Sequence, residues 1–108
     1  MNGVERIAAE RMRQLKQEGR GAPEHDDKCV DGQLADAAAC YAAVYPIWRK
    51  DGSTPMPFRW KPLPIFRNAP STKRIKQLSL AGALIAAEID RLQRLKKDLL
   101  RRSRHRKR

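Results

Sequence analysis

From Ile75 to Leu99 the apolar residues Ile75, Leu78, Ala81, Leu84, Ile85, Ile89, Leu92, Leu95 and Leu99 recur at the spacing that lays a stripe along one side of an α-helix. Ser71 or Thr72, just past Pro70, stands where a helix cap belongs, so the pattern predicts one helix over about 72–102. At about 1.5 Å per residue that helix is roughly 45 Å long, more than two shorter helices can cover. Its C-terminal half is therefore expected to project from the body or to pair with another chain, with Leu92, Leu95 and Leu99 at the exposed surface.

Two shorter helices are expected ahead of it. Asn2 and Glu5 have the spacing of a capping box, and Val4, Ile7, Ala8, Met12 and Leu15 follow as an apolar stripe, which predicts a first helix over about 2–18 that ends by Gly19. A polar stretch with Gly21 and Pro23 leads to Asp31, placed to cap a second helix over about 31–45 that Pro46 stops. In this helix Leu34, Ala37, Ala38, Tyr41 and Tyr45 recur at three and four, and the small residues Ala35, Ala38, Ala39 and Ala42 allow a neighbouring helix to come close. The centre of the core is expected here. Residues 46–72 hold six of the seven prolines, interleaved with Trp48, Phe58, Trp60 and Phe66, a composition that resists both helix and central strand and predicts a long loop. The fold class expected is all-α: one small three-helix domain over residues 1–100, followed by a basic tail over 101–108.

Charge is concentrated at one end. The chain of 108 residues has 24 Lys and Arg against 12 Asp and Glu, a net of +12, and residues 91–108 alone hold ten basic residues and one acid. Residues 101–108 contain no apolar side chain, so burial cannot offset the cost of ordering them, and a tail without fixed structure is expected in the free protein. Alanine supplies much of the apolar content and aromatic residues only 6%, which predicts a thin core and marginal stability without a partner or second copy. Cys29 and Cys40 have no second Cys or His pair at zinc-finger spacing, and no secretory signal is read ahead of them, so a reduced, cytoplasmic chain is expected. No apolar run approaches membrane-spanning length. No Gly-rich phosphate loop, G-x-S-x-G elbow or paired C-x-x-C occurs, which removes several enzyme classes.

Three clusters carry candidate chemistry. The first is the basic C-terminal region, Lys96, Lys97, Arg101, Arg102, Arg104, Arg106, Lys107 and Arg108, whose dense single-signed charge suits phosphate polymers, with an acidic protein surface as the other fitting partner. The second is Arg59, Trp60 and Lys61 beside Phe58, cations mixed with aromatic faces that can stack bases or equally well lid the helix core. The third is Glu24, His25, Asp26 and Asp27, which with Glu10 and Glu88 could hold a divalent metal; the structural alternative is that Asp26, Asp27 and Asp31 favour the N-terminal dipole of the second helix. Glu10, Arg11 and Arg13 on the first helix, with Glu88, Asp90 and Arg91 on the third, are candidates for cross-helix ion pairs that set register.

Several motifs in order, Glu10-Arg11-Met12-Arg13-Gln14 with Glu18-Gly19, then Glu24-His25-Asp26-Asp27, Gly32-Gln33-Leu34-Ala35-Asp36-Ala37-Ala38 with Tyr41-Ala42, Trp60-Lys61-Pro62, and Ala81-Gly82-Ala83-Leu84-Ile85-Ala86-Ala87-Glu88-Ile89-Asp90-Arg91-Leu92, cover most of residues 5–94. Together they resemble a family of small, functionally uncharacterised proteins of tailed phages and prophages. Members often carry Glu where this chain has Gln33 and Trp where it has Arg20, and the long basic tail is not a usual part of their pattern. The resemblance implies a helical fold and a phage or prophage setting, with no established reaction.

These readings lead to one expectation and one rival. The expectation is a non-enzymatic accessory protein, without cofactor, that engages nucleic acid or a host nucleic-acid-handling complex through its basic C-terminal region, as a counter-defence inhibitor would, and that self-associates through the third helix. The rival is a small metal-dependent nucleotide or phosphoester hydrolase using Glu10, His25, Asp26, Asp27 and Glu88.

Overall fold

A computed structural model describes residues 1–16, 26–43, 47–55 and 70–106 of the chain, Arg106 by its backbone alone. The fold is all-α, with α1 over Gly3–Lys16, α2 over Gln33–Ala42 and α3 over Ser71–Arg106, and no strand occurs among the described residues. Asp26 and Asp27 are also in helical conformation. α3 has 36 residues, about 54 Å at the usual rise, and the molecule's longest dimension is 59 Å. One helix therefore sets the long axis, and the other two pack along its N-terminal half.

The start of α1 follows the sequence pattern. The Asn2 side-chain oxygen accepts the Glu5 N–H at 2.9 Å, and Glu5 returns a carboxylate to the Asn2 N–H at 3.1 Å, the reciprocal capping box. The face that α1 turns inward does not follow it. Arg11 and Gln14 are the buried residues and Ile7 is half-buried, while Val4, Ala8, Met12 and Leu15 of the expected stripe are exposed. Arg11 lies four positions beyond Ile7 and Gln14 three beyond Arg11, so these three share a face as a helix requires, but two of them are polar.

α2 begins differently from the expectation. Its N-cap is Gly32, in left-handed conformation at φ 82°, with no side-chain cap. Asp31 does not cap it; its N–H donates instead to Gln33 Oε1 at 2.7 Å. Left-handed backbone is open to glycine at little cost, so Gly32 turns the chain into the helix without giving its first N–H groups a side-chain acceptor. At the other end the helix stops at Ala42, with the Ala43 N–H on the Ala39 carbonyl. The guanidinium of Arg74, from the first turn of α3, donates to the carbonyls of Tyr41 at 3.2 Å and Ala43 at 3.3 Å, and also to that of Ala42. A cation thus satisfies the orphan carbonyls at the negative end of the α2 dipole.

The core lies between α2 and α3. Cys29, Leu34, Ala37, Ala38, Ala81, Leu84 and Ala87 form one buried cluster, with Tyr41 and Leu80 packed at its edge. Leu34, Ala37, Ala38 and Tyr41 stand where the sequence puts them, and Tyr45 lies outside the described residues. Ala35, Ala39 and Ala42 are exposed, so the small surface that meets α3 is Ala37 and Ala38. α1 docks on the other side, where a Cβ built on Gly82 would sit 2.6 Å from Ile7 Cδ1 and 2.7 Å from its Cγ1. Glycine inside a helix costs about 1 kcal/mol relative to alanine, and here its missing side chain is the seat for Ile7. Beyond α2, Arg49 pairs with Asp36 at 3.4 Å, and the Asp51 carboxylate takes the N–H and hydroxyl of Ser53 in a tight turn with Gly52 at φ 86°. That turn is the described part of the expected proline-rich loop.

The third helix differs at its end. It runs on to Arg106, through residues from Arg101 onward that the sequence reading leaves without fixed structure. Arginine and lysine are good helix formers, so a long helix already nucleated by its packed half extends through them without burying anything.

Both cysteines are buried thiols outside any disulfide, and burial pushes both above their ordinary value of 9.0, with the Asp26 charge adding to the rise at Cys29 and the Thr54 hydrogen bond opposing it at Cys40. A raised folded-state value means that the folded chain keeps its thiol protons at a pH where the unfolded chain loses them. The stabilisation is therefore complete below about pH 9 and declines as pH rises through the folded values. Urea midpoints measured from pH 8 to 10.5 should fall, and the fall should be shallower in the Cys29→Ala, Cys40→Ala variant.

Replacing Gly82 by Ala should loosen α1 despite the gain in helix propensity. Adding Ile7→Ala should recover part of the loss, seen as a favourable coupling in a double-mutant cycle of chemical denaturation.

Candidate nucleic-acid interface

Two charged regions flank the place where α3 leaves the body. The inner one is a network of arginines and carboxylates. Arg11 Nη2 lies 3.1 Å from Asp26 Oδ2 and 3.3 Å from Asp90 Oδ2, so one nitrogen of α1 bridges the segment leading to α2 and the middle of α3. The Arg11 side chain is 10% exposed and that of Asp26 is 2%. Arg11 Nε and Nη1 are buried with no hydrogen-bond partner among the described residues, so the guanidinium depends on that single edge. Asp27, next in the chain, takes both Nε and Nη2 of Arg94, at 3.2 and 2.8 Å. Glu88 and Arg91 pair at 2.5 Å within α3, and Glu10 and Arg13 within α1. The hydrogen-bonded carboxylate raises the guanidinium above its ordinary value in each of Arg13, Arg91 and Arg94.

Asp26 and Asp27 therefore hold arginines from α1 and α3, where the sequence reading gave them to a helix dipole or a metal. Of the metal-site candidates, Glu10 and Glu88 each bind an arginine on their own helix, and His25 lies outside the described residues. No group of three or more His, Cys, Asp and Glu side chains comes together in a metal-holding arrangement among the described residues. The expected cross-helix ion pairing is present as Arg11–Asp90, while Glu10–Arg13 and Glu88–Arg91 are local i, i+3 pairs. Sequence reasoning did not anticipate Arg94 as the partner of Asp27, 67 positions away. The inward face of Arg11 had one available signal, its helical spacing from Ile7.

The outer region is the free half of α3. Every described side chain from Leu95 to His105 is exposed, and Lys96, Lys97, Arg101, Arg102 and Arg104 outnumber the single acid, Asp98. Asp98 lies 3.6 Å from Arg101 in a solvent-exposed pair, which holds little of that charge. Arg94, Lys97, Arg101 and Arg104 recur at three and four, so they form one stripe along the helix. Leu92, Leu95 and Leu99 lie on the opposite side. Gln93, Lys96, Lys97 and Leu100 line a shallow groove with Asp90 and Arg94 where the helix emerges. The side chain of Arg106 and residues Lys107, Arg108, Arg59, Trp60 and Lys61 lie outside what is described.

No helix among the described residues is long and apolar enough to cross a membrane. No protein-family model, no curated protein and no solved structure matches the chain.

Removing Asp26 leaves Arg11 charged, buried and, among the described residues, held by half-exposed Asp90 alone. The Asp26→Ala variant should lose about 3–5 kcal/mol of stability, as breaking a buried pair does. Replacing both partners by apolar residues, Arg11→Met with Asp26→Leu, should restore much of it in the same denaturation assay.

Proposed function

We propose that this chain is a non-enzymatic nucleic-acid-binding protein that contacts phosphates through the free half of α3. The observation that carries the reading is the stripe Arg94, Lys97, Arg101 and Arg104 on a helix exposed all round from Leu95. A rigid helix presents these cations at fixed spacing, and arginine offers two parallel donors to a phosphate. Lys96 and Arg102 widen the positive field, which steers a polyanion at long range. The acids of the chain's middle are largely engaged with arginines, so they do not cancel this field at the helix end.

The setting we infer is that of a phage or prophage accessory protein acting in the cytoplasm of a host cell. It is supported by the motif resemblance along residues 5–94. Inhibition of a host complex that handles nucleic acid fits a protein of this size and charge.

Fluorescence anisotropy with labelled duplex and single-stranded oligonucleotides, across a salt series, tests the binding. With four to six phosphates neutralised, affinity should drop on the order of a hundred- to a thousand-fold between 50 and 200 mM salt. The variant Lys97→Ala, Arg101→Ala, Arg104→Ala keeps helix-forming residues throughout; it should bind more weakly and show a shallower salt slope with unchanged circular dichroism. Equal affinity of this variant and the parent chain removes the α3 stripe as the contact.

A further inference from the structure

We propose that two copies of this chain pair antiparallel through one face of α3, and that the pairing sets their basic stripes one turn of duplex DNA apart. The face is that of Leu78, Ile85, Ile89, Leu92 and Leu99, each between 45% and 55% exposed although large and apolar. At about 100° per residue these five fall within roughly 80° of arc, and the stripe is about 32 Å long from Leu78 to Leu99. α1 borders this face at Gly82 and reaches round to Asp90, and α2 borders it at Ala81 and reaches round to Leu84 and Ala87. The five are what the fold leaves between α1 and α2, and their spacings of 7, 4, 3 and 7 fit a heptad seam whose two remaining positions are Gly82, the seat of Ile7, and Lys96.

Four of the five positions read the same in reverse, while Ile89 maps onto Glu88. A two-fold axis between Glu88 and Ile89 sets Leu78 of one copy opposite Leu99 of the other and Ile85 opposite Leu92, with Ile89 of each beside the axis. Charge selects the same direction. A parallel pair lays the ten basic residues of 91–108 against their own copy, whereas the antiparallel pair lays 91–106 against 71–86, where the charged residues are Lys73, Arg74 and Lys76 alone. Five half-exposed aliphatic side chains per copy, with their flanks, bury on the order of 1,000 Å² in the pair, the lower bound of a specific interface.

The duplex spacing rests on the function proposed above; the pairing does not. Arg94 to Arg104 is centred about 10.5 residues from the axis, or about 16 Å, so the two stripes lie about 32 Å apart, close to the roughly 34 Å of one B-DNA turn. The stripe is rotated about 140° around the helix from the apolar face. The two-fold of an antiparallel pair is perpendicular to both helices, so both stripes are displaced to the same side. In a parallel pair they would be displaced to opposite sides.

Disulfide trapping of the full chain tests the pairing without nucleic acid. Under native oxidation, Leu78→Cys and Leu99→Cys should cross-link when mixed, and neither should form a disulfide dimer by itself. Homodimers of Leu78→Cys would establish a parallel pair and overturn the proposal. A monomer by light scattering up to 200 µM, with no cross-link, would overturn it as well, leaving the face to residues 56–69 of the same chain or to another protein. Ile85→Glu with Leu92→Glu should give a monomer of unchanged helicity. For the second half, a 24-base-pair duplex should bind two chains at least tenfold more tightly than a 12-base-pair duplex, and the Glu variant should lose that difference. Cross-linking without the length dependence overturns the spacing and leaves the pair standing; no binding to either duplex overturns the nucleic-acid reading itself.

Discussion

One nitrogen atom touches all three parts of this fold. Nη2 of Arg11 reaches Asp26 and Asp90 together, joining α1, the segment that enters α2, and the long helix α3 at a single point. The apolar alternative is weak here. Among the described residues the buried cluster has two large aliphatic side chains, Leu34 and Leu84, with Leu80 at its edge, and otherwise alanines, a cysteine and Tyr41. Alanines let helices approach closely but bury little area each, so packing alone leaves the direction of approach poorly determined. Charged hydrogen bonds with narrow geometry supply that direction, at the cost of desolvating the guanidinium.

This division of labour explains which parts of the fold were legible in the sequence. α3 and the buried face of α2 are apolar at helical period, so Leu34, Ala37, Ala38, Tyr41, Ala81 and Leu84 could be read off by counting. Asn2 and Glu5 were legible because capping is local. The inward face of α1 was not, since periodicity analysis looks for apolar residues and the buried ones are Arg11 and Gln14. The Gly32 start of α2 was missed because Asp31 is the better cap by residue type, and only backbone conformation distinguishes them. The end of α3 was misread because low burial was equated with lack of helix, although a long helix can continue on propensity alone.

The candidate site divides along the same line. The basic end of α3 was legible from charge and lies where it was expected, at the exposed end of the molecule. The acidic cluster was legible as unusual, but its use was not. Residue type says that Asp26 and Asp27 can bind a cation; only the fold says that the cations are Arg11 and Arg94. Density of charge therefore pointed to two places for two reasons, one of them architectural.

Arg74 has a consequence for how such a chain can vary. By holding the last carbonyls of α2 from the first turn of α3, it brings the chain back, after some thirty residues, to nearly the point it left. The two ends of the intervening segment are fixed by the scaffold. Doubling the length of a loop adds only about 0.6 kcal/mol to the cost of closure. The meeting of α2 and α3 at Arg74 is thus set by the helices and costs little more to close when the segment between them lengthens, which lets an insertion enter there without moving the joint.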